Sequence, residues 1–214
     1  MIFNAEMVRA LLSGRKTQTR RIIKPQPEAT LSGSLSGKWL SRPLNGLLLP
    51  KIEDIAIHCP FGSVGDRIWV REAFRVHSRA TDVATLVYKA SERNSWTEQT
   101  RRVPVAVCNK PATPEKWTPS LHMPRWASRI LLEITNVRVE RLNAISEEDA
   151  RAEGIIDGGC LNCGEPEPCG CANPEPDATD AFAYLWQSVY GQESWNANPW
   201  VWVISFERIE GGAA

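Results

Sequence analysis

Apolar positions recur along the chain with two different periods, and these periods predict its helices and strands. Spacing of three to four residues predicts a short helix over Met7–Lys16 and a longer amphipathic helix in DATDAFAYLWQSVYG, residues 177–191. A third helix is predicted in ISEEDARAEGI, with Ser146 as its N-cap and Asp149 at the capping-box position. Gly14, Gly154 and Gly191 are predicted to end the three helices.

Alternating apolar and polar positions predict the strands. They occur in RIWVREAF (67–74), LVYKA (86–90) and NPWVWVISFERI (198–209), and the longest run is SRILLEITNVRVERL (128–142). Short strands with long connections and a few helices indicate an α+β fold, a small β-barrel or strongly curled sheet with helices at its rim. We expect one domain over 1–214, with insertions at about 25–60 and 157–178.

The first insertion is predicted to be a surface loop. Residues 25–50 are rich in Pro, Ser, Gly and Leu without a clear period. Loops of this length are typically functional lids or insertions particular to one family.

Composition narrows the classes of partner. Lys plus Arg and Asp plus Glu are both 25, so the formal charge is zero, which argues against binding of duplex nucleic acid through bulk positive charge. The sequence contains neither an apolar run long enough for a transmembrane helix nor an N-terminal secretory pattern, so we expect a cytoplasmic protein without a membrane partner. Most of the nine tryptophans are expected to pack in the core, although one or two can form a stacking wall for a base.

Four cysteines form a cluster in the second insertion. Cys160, Cys163, Cys169 and Cys171 have the spacing C-x2-C-x5-C-x-C, with glycines that give the backbone freedom to turn. Four thiolates suit tetrahedral zinc, and a reducing compartment disfavours disulfides. The pattern predicts a structural zinc site without a catalytic role; the alternative is a flexible loop with nearby thiols.

Catalytic candidates are few in the sequence itself. None of the three histidines has a partner at metal-ligand or triad spacing, and nucleotide-binding and nucleophile-elbow motifs are absent. Taken by their local pattern alone, Lys16 is expected to be a solvated helix-end lysine and Glu153 a surface carboxylate. Glu72 differs, because a carboxylate inside an apolar strand is expected to be buried and paired.

Four blocks of the sequence form a combined pattern: GRKTQTRR, GDRIWVREAF, SRILLEITNVRVERL with ISEEDARAEGI, and NPWVWVISFERI. Together these blocks resemble the ASCH domain of the PUA-like β-barrel superfamily, in its phage and prophage branch. The resemblance covers about 1–24, 62–76, 121–155 and 180–209, and leaves out both insertions.

This resemblance implies an activity and its residues. Small bacterial ASCH proteins are N4-acetylcytidine amidohydrolases, and their motif places the catalytic lysine, threonine and glutamate on Lys16, Thr19 and Glu153. The implied roles are base or activator for Lys16, nucleophile or positioner for Thr19, and orienting carboxylate for Glu153. The substrate would be an acylated nucleoside or nucleobase.

Two alternatives remain open, because one fold supports several activities. The first is a non-catalytic RNA- or nucleotide-binding module of phage origin, and the second is a single-strand-specific ribonuclease. The candidate substrate- or RNA-binding residues are Arg15, Arg20, Arg21, Trp69, Glu72 and Trp126. The arginines would hold phosphate, and Trp69 or Trp126 would stack a base.

Overall fold

The computed structural model of the chain describes residues 1–30, 34–44, 46, 50–91, 100–156 and 178–209. The backbone forms two compact units. The first comprises Met1–Gly14, Gly65–Glu133 and Glu207–Ala214, and the second comprises Arg15–Val64 and Ile134–Phe206. Helices occur together with antiparallel sheets, which confirms the α+β class.

The helices and strands of the described residues are numbered separately, each in chain order. The helices are α1 (Ala5–Leu12), α2 (Glu147–Ala152), α3 (Ala178–Tyr190) and α4 (Gln192–Asn196). The strands are β1 (Gln18–Ile22), β2 (Glu28–Ala29), β3 (Leu35–Ser36), β4 (Arg67–Trp69), β5 (Phe74–Arg79), β6 (Val83–Tyr88), β7 (Thr100–Pro104), β8 (Leu131–Arg141) and β9 (Trp200–Ile209). Within the described ranges, every helix is too short or too polar to cross a bilayer.

The first unit is built around the antiparallel sheet β5–β6–β7. Alternate residues of these strands point inward, so that Phe74, Val76, Leu86 and Tyr88 are buried in one cluster. In the same unit β4 pairs with the first residues of β8, Ile68 opposite Leu132.

The second unit carries the sheet order β1–β9–β8. β1 and β9 are antiparallel, with Gln18 opposite Ser205 and Arg20 opposite Val203. An apolar cluster between this sheet and the helices is formed by buried side chains of β9, α2, α3 and the turn before α2, namely Leu142, Ile145, Ala150, Ala178, Phe182, Trp186, Val201 and Val203. This packing positions α2 beside β1.

Several predicted elements are confirmed. β8 is the longest described strand, β9 is the last described strand, and α3 is the amphipathic helix, followed by Gly191. Ser146 caps α2 by accepting a hydrogen bond from the Asp149 backbone N–H at 3.2 Å. Gly154, at φ +92°, follows the helix in a conformation that suits glycine.

The first helix differs from its prediction over Met7–Lys16. It begins at Ala5, because the Asn4 side chain accepts a hydrogen bond from the Met7 backbone N–H at 2.8 Å. It ends at Leu12, and Gly14 takes φ +77°. Lys16 therefore lies beyond the helix, in an extended segment.

The predicted single strand 67–74 is wrong, because the segment is interrupted between Trp69 and Phe74. Val70 donates its backbone N–H to the Ile130 carbonyl, and the next residue, Arg71, donates to the Met1 carbonyl instead. The backbone thus changes partners, which ends β4 before β5 begins.

The first insertion contains more regular structure than the predicted loop. Residues 25–60 include β2 paired with β3 and two 3-10 segments, Gly37–Ser41 and Ile52–His58. Trp39, Ile52 and Ile55 are buried there. The segment is therefore ordered around buried apolar side chains, although these have no regular spacing.

We expect Ser146→Ala to lower the free energy of unfolding by about 1 kcal/mol, because the mutation removes the side-chain cap of α2. Ser146→Asn retains a capping oxygen and is expected to match the wild type. Urea denaturation measures both. Equal stability of the alanine and wild-type proteins would show that the cap does not stabilise α2.

Candidate functional site

Lys16 and Glu153 form a buried ion pair in the second unit. The Lys16 side chain has 0% exposure, and its Nζ lies 2.7 Å from Glu153 Oε2. Nζ also donates to the Glu153 backbone carbonyl at 2.7 Å. Both residues were expected to be exposed from their local pattern, and that expectation is wrong.

The backbone explains why these two residues meet. After Gly14 the chain runs extended beside the end of α2, and the Thr17 N–H donates to the Ala152 carbonyl at 2.8 Å. Glu153 is the C-cap of α2, and it forms an isolated antiparallel bridge with Lys16. The pairing of main chains therefore brings the two side chains together.

Burial controls the protonation of Lys16. Removal of the ammonium from water lowers the pKa of Lys16 below its ordinary 10.5, while the Glu153 carboxylate acts in the opposite direction. The burial effect is the larger. Burial thus disfavours the charged form of this lysine, and the ion pair with Glu153 favours it.

Arg20, on β1, extends the cluster. Its side chain has 0% exposure, and its NH2 group contacts Asp149 at 2.9 Å and Glu140 at 3.2 Å. Its NH1 group lies 3.5 Å from Glu153 Oε1. Glu153 is therefore held between two cations, one on each carboxylate oxygen.

Arg138 on β8 completes the charge balance. It donates to Asp149 at 2.7 Å and also contacts Glu140. Three cations, Lys16, Arg20 and Arg138, thus face the three carboxylates Glu140, Asp149 and Glu153. Partial burial raises the pKa of Asp149, but hydrogen bonds from Arg138 and Arg20 outweigh this effect and lower it below its ordinary 3.8.

Two donors in this cluster have no hydrogen-bond partner among the described atoms. Gln18 is 3% exposed, and its Oε1 accepts from Arg138 at 3.1 Å and from Ser205 at 3.3 Å, whereas its Nε2 is buried without an acceptor. The Nε of Arg20 is in the same state. Because buried donors are normally satisfied, the site favours a bound acceptor such as water or a substrate oxygen.

Thr19 lies on the other side of β1. Side chains alternate along a strand, so Thr19 points away from the face that carries Gln18 and Arg20. It is buried and stands opposite Ile204 of β9. The structure thus brings Lys16 and Glu153 into contact and places Thr19 on the opposite face of β1, while the catalytic role of Thr19 stays a prediction.

Arg15 and Arg21 lie at the edge of this region. Arg15 is exposed and donates to the Gly154 carbonyl at 3.3 Å. Arg21 is half-buried and donates to the Tyr190 hydroxyl at 3.2 Å. Their predicted phosphate contacts remain predictions, whereas the guanidinium of Arg20 is already engaged by carboxylates.

The remaining substrate-binding candidates belong to the first unit. Glu72 is 2% exposed and accepts from Arg129 at 2.8 and 3.0 Å, which confirms that it is buried and paired. Burial raises the pKa of Glu72, and Arg129 opposes this effect. Trp69 is half-buried with the Arg71 guanidinium 4.5 Å from its ring, and Trp126 packs edge-on against Phe74.

The predicted zinc ligands Cys160, Cys163, Cys169 and Cys171 lie outside the described residues. Within the part of the chain that the structure describes, no group of three or more His, Cys, Asp or Glu residues is arranged to hold a metal ion. Cys108 is a buried free thiol in the core of the first unit, and Cys59 is half-buried.

Sequence reasoning missed four members of the cluster: Gln18, Arg138, Glu140 and Asp149. Asp149 was assigned only to the capping box, but its carboxylate accepts from Arg20 and Arg138. The alternation in VRVER offered a signal, because Arg138 and Glu140 are two residues apart and share a strand face.

Comparisons with protein-family models, curated proteins and solved structures gave no match to this chain.

Lys16→Met is expected to lower the free energy of unfolding by about 3 kcal/mol, because it leaves the buried Glu153 with only the longer contact to Arg20. Adding Glu153→Gln should cost less than the sum of the single changes, with a coupling above about 1 kcal/mol in a double-mutant cycle. Chemical denaturation of the four proteins measures this coupling.

A control cycle is available at the exposed pair Arg151 and Glu147, whose charged groups are 2.9 Å apart. Its coupling is expected to be at most about 0.5 kcal/mol, because solvent screens an exposed pair. Similar couplings in the two cycles would contradict a special contribution from burial of Lys16.

Asp149 is expected to contribute to acid stability. Since its folded-state pKa is lowered, its stabilising effect is present above pH 3.8 and is lost as pH falls below that value. The difference in unfolding free energy between wild type and Asp149→Asn should therefore shrink in that range. The exposed Asp82→Asn serves as control, and an unchanged difference for Asp149→Asn would refute the assignment.

Proposed function

We propose that the chain is an amidohydrolase that removes the acyl group from an N4-acylated cytidine or a related nucleobase, on a PUA-like barrel of the ASCH type. The buried contact between Lys16 and Glu153 carries this proposal. These residues are 137 positions apart, and they are the lysine and the glutamate that the family resemblance names. A contact of 2.7 Å between them, with the ammonium withdrawn from water, is the arrangement that such a reaction needs.

Hydrolysis of the amide requires two proton transfers, one from the attacking water to a base and one to the leaving amine nitrogen. Water adds to the acyl carbon and gives a proton to a base; the C–N bond then breaks, and the amine nitrogen takes a proton as it leaves. We assign Lys16 to both transfers, because its Nζ is buried in contact with Glu153 and burial lowers the pKa of Lys16. Glu153 orients Nζ and stabilises the ammonium between the two transfers.

We assign the two hydrogen-bond donors without described partners to binding of the substrate's acyl oxygen. Gln18 Nε2 and Arg20 Nε are buried donors without described partners, on one face of β1. As water adds, negative charge develops on the acyl oxygen, and fixed donors stabilise it more than the neutral ground state. Together with the balanced charges around them, these donors favour a neutral amide over an anionic group as the reacting part of the substrate.

The position of Thr19 favours water over a threonine hydroxyl as the attacking group. Strand alternation directs Thr19 to the face opposite Arg20. In this proposal Thr19 supports the site from behind the strand. Thr19→Val preserves the shape of the side chain and therefore separates the two roles. Activity would be lost completely if Thr19 were the nucleophile, whereas substantial activity would remain if Thr19 only supports the site.

We expect the full chain to release cytidine and acetate from N4-acetylcytidine, measured by chromatography. Lys16→Met and Glu153→Gln should lower kcat by about 100-fold or more, since each removes part of the proton transfer. Lys16→Arg retains charge but cannot supply a neutral amine, so it should be equally impaired. The exposed Lys116→Met is the matched control and should keep wild-type activity.

Circular dichroism and unfolding of each variant separate lost chemistry from lost folding. Absence of turnover by the folded wild type would reject the amidohydrolase. RNA binding without turnover would instead favour the binding-module alternative, and cleavage of single-stranded RNA the ribonuclease.

A further inference from the structure

A cleft in the first insertion has no part in the chemistry proposed above. It lies in the second unit and has a volume of about 510 Å³. The residues that line it are Pro25, Lys38, Trp39, Ser41 and Arg42. The volume is sufficient for a nucleotide-sized ligand.

The floor of the cleft is fixed by Trp39. This side chain is 2% exposed, and its Nε1 donates to the Pro25 carbonyl at 3.0 Å. Its ring packs edge-on against Trp202 of β9, with centroids 6.1 Å apart. A buried, hydrogen-bonded indole is a rigid platform for a planar group that stacks on it.

Arg42 lies over the indole of Trp39. Its guanidinium carbon is 4.1 Å from the centre of the Trp39 ring, at stacking distance. Arg42 is itself an exposed residue, so a ligand can reach it while its guanidinium lies on the indole. Nucleobases stack on guanidinium planes of this kind.

The charges of the cleft are not compensated within the described part of the chain. Neither Lys38 nor Arg42 has a carboxylate within ion-pair distance there, in contrast to Arg20, which contacts three. The Glu28 carboxylate packs against Gly37, where a Cβ would come within 2.8 Å of it. The cleft itself is lined by two cations and no acid, which favours an anionic ligand.

The cleft and the ion cluster lie on opposite faces of β9. Trp202, which contacts Trp39, is followed by Val203, which stands opposite Arg20. Successive side chains of a strand point to opposite faces. A ligand in the cleft therefore does not occupy the Lys16–Glu153 site, and the two sites can be tested separately.

We propose that this cleft binds one nucleotide of single-stranded RNA, with the base stacked on Arg42 and the phosphate held by Lys38 and the edge of Arg42. Charge, size and a flat cationic platform each fit this ligand. The site is independent of the amidohydrolase proposal, because none of its residues contacts Lys16, Glu153 or Arg20 among the described contacts.

The test is fluorescence anisotropy of a labelled ten-nucleotide single-stranded RNA with the full chain. Arg42→Ala is expected to weaken binding about tenfold or more, because it removes a stacking platform and a phosphate contact. Lys38→Ala should weaken binding severalfold and reduce the slope of log K against log salt by about 0.7, the value for one phosphate contact in a single strand. Arg42→Lys keeps the positive charge but lacks the planar guanidinium, so its affinity for RNA should lie between those of Arg42→Ala and the wild type.

The matched controls are Arg125→Ala and Lys116→Ala, which remove exposed cations of the first unit and should bind like wild type. Equal losses in the control and cleft variants, or no RNA binding at physiological salt, would overturn the proposal. An enzyme that hydrolyses N4-acetylcytidine without binding RNA would disprove only the cleft, and RNA binding without hydrolysis would disprove only the amidohydrolase.

Discussion

The second unit depends on the need of one buried lysine for an anion. The ammonium of Lys16 has no exposed surface, and Glu153 supplies both a carboxylate oxygen and a backbone carbonyl at 2.7 Å. Because Glu153 is the C-cap of α2, this contact fixes the end of that helix against the extended chain before β1. Asp149, one turn earlier, is then within reach of Arg20.

Stability alone does not explain this cluster. Buried ion pairs are often no more stabilising than well-packed apolar residues of similar volume, since each charge loses its hydration. Here three cations and three carboxylates meet around one strand, and Gln18 Nε2 and Arg20 Nε still have no described acceptor. A cluster of ionisable residues that contains buried charges and unused donors is a candidate functional site.

The sequence predicts those features that depend on neighbours along the chain. The Ser146 cap, the length of β8 and the amphipathic face of α3 follow from local spacing. The break after Trp69 does not, because it depends on the carbonyls of Ile130 and Met1. Burial of Lys16 likewise does not follow from its sequence neighbours, because its partner Glu153 is 137 residues away. Only the family resemblance indicates that the two residues act together.

One register determines the character of both proposed sites. The pairing of β1 with β9 sets Arg20 opposite Val203 and Arg21 opposite Trp202. On one face of β9 the cations are matched by carboxylates, which suits a neutral acyl group whose charge develops only during reaction. On the other face Trp202 supports Trp39 and, through it, the uncompensated charge of Arg42, which suits a permanent anion. A slip of one residue in this pairing would exchange the two faces of the strand, and would therefore destroy both environments together.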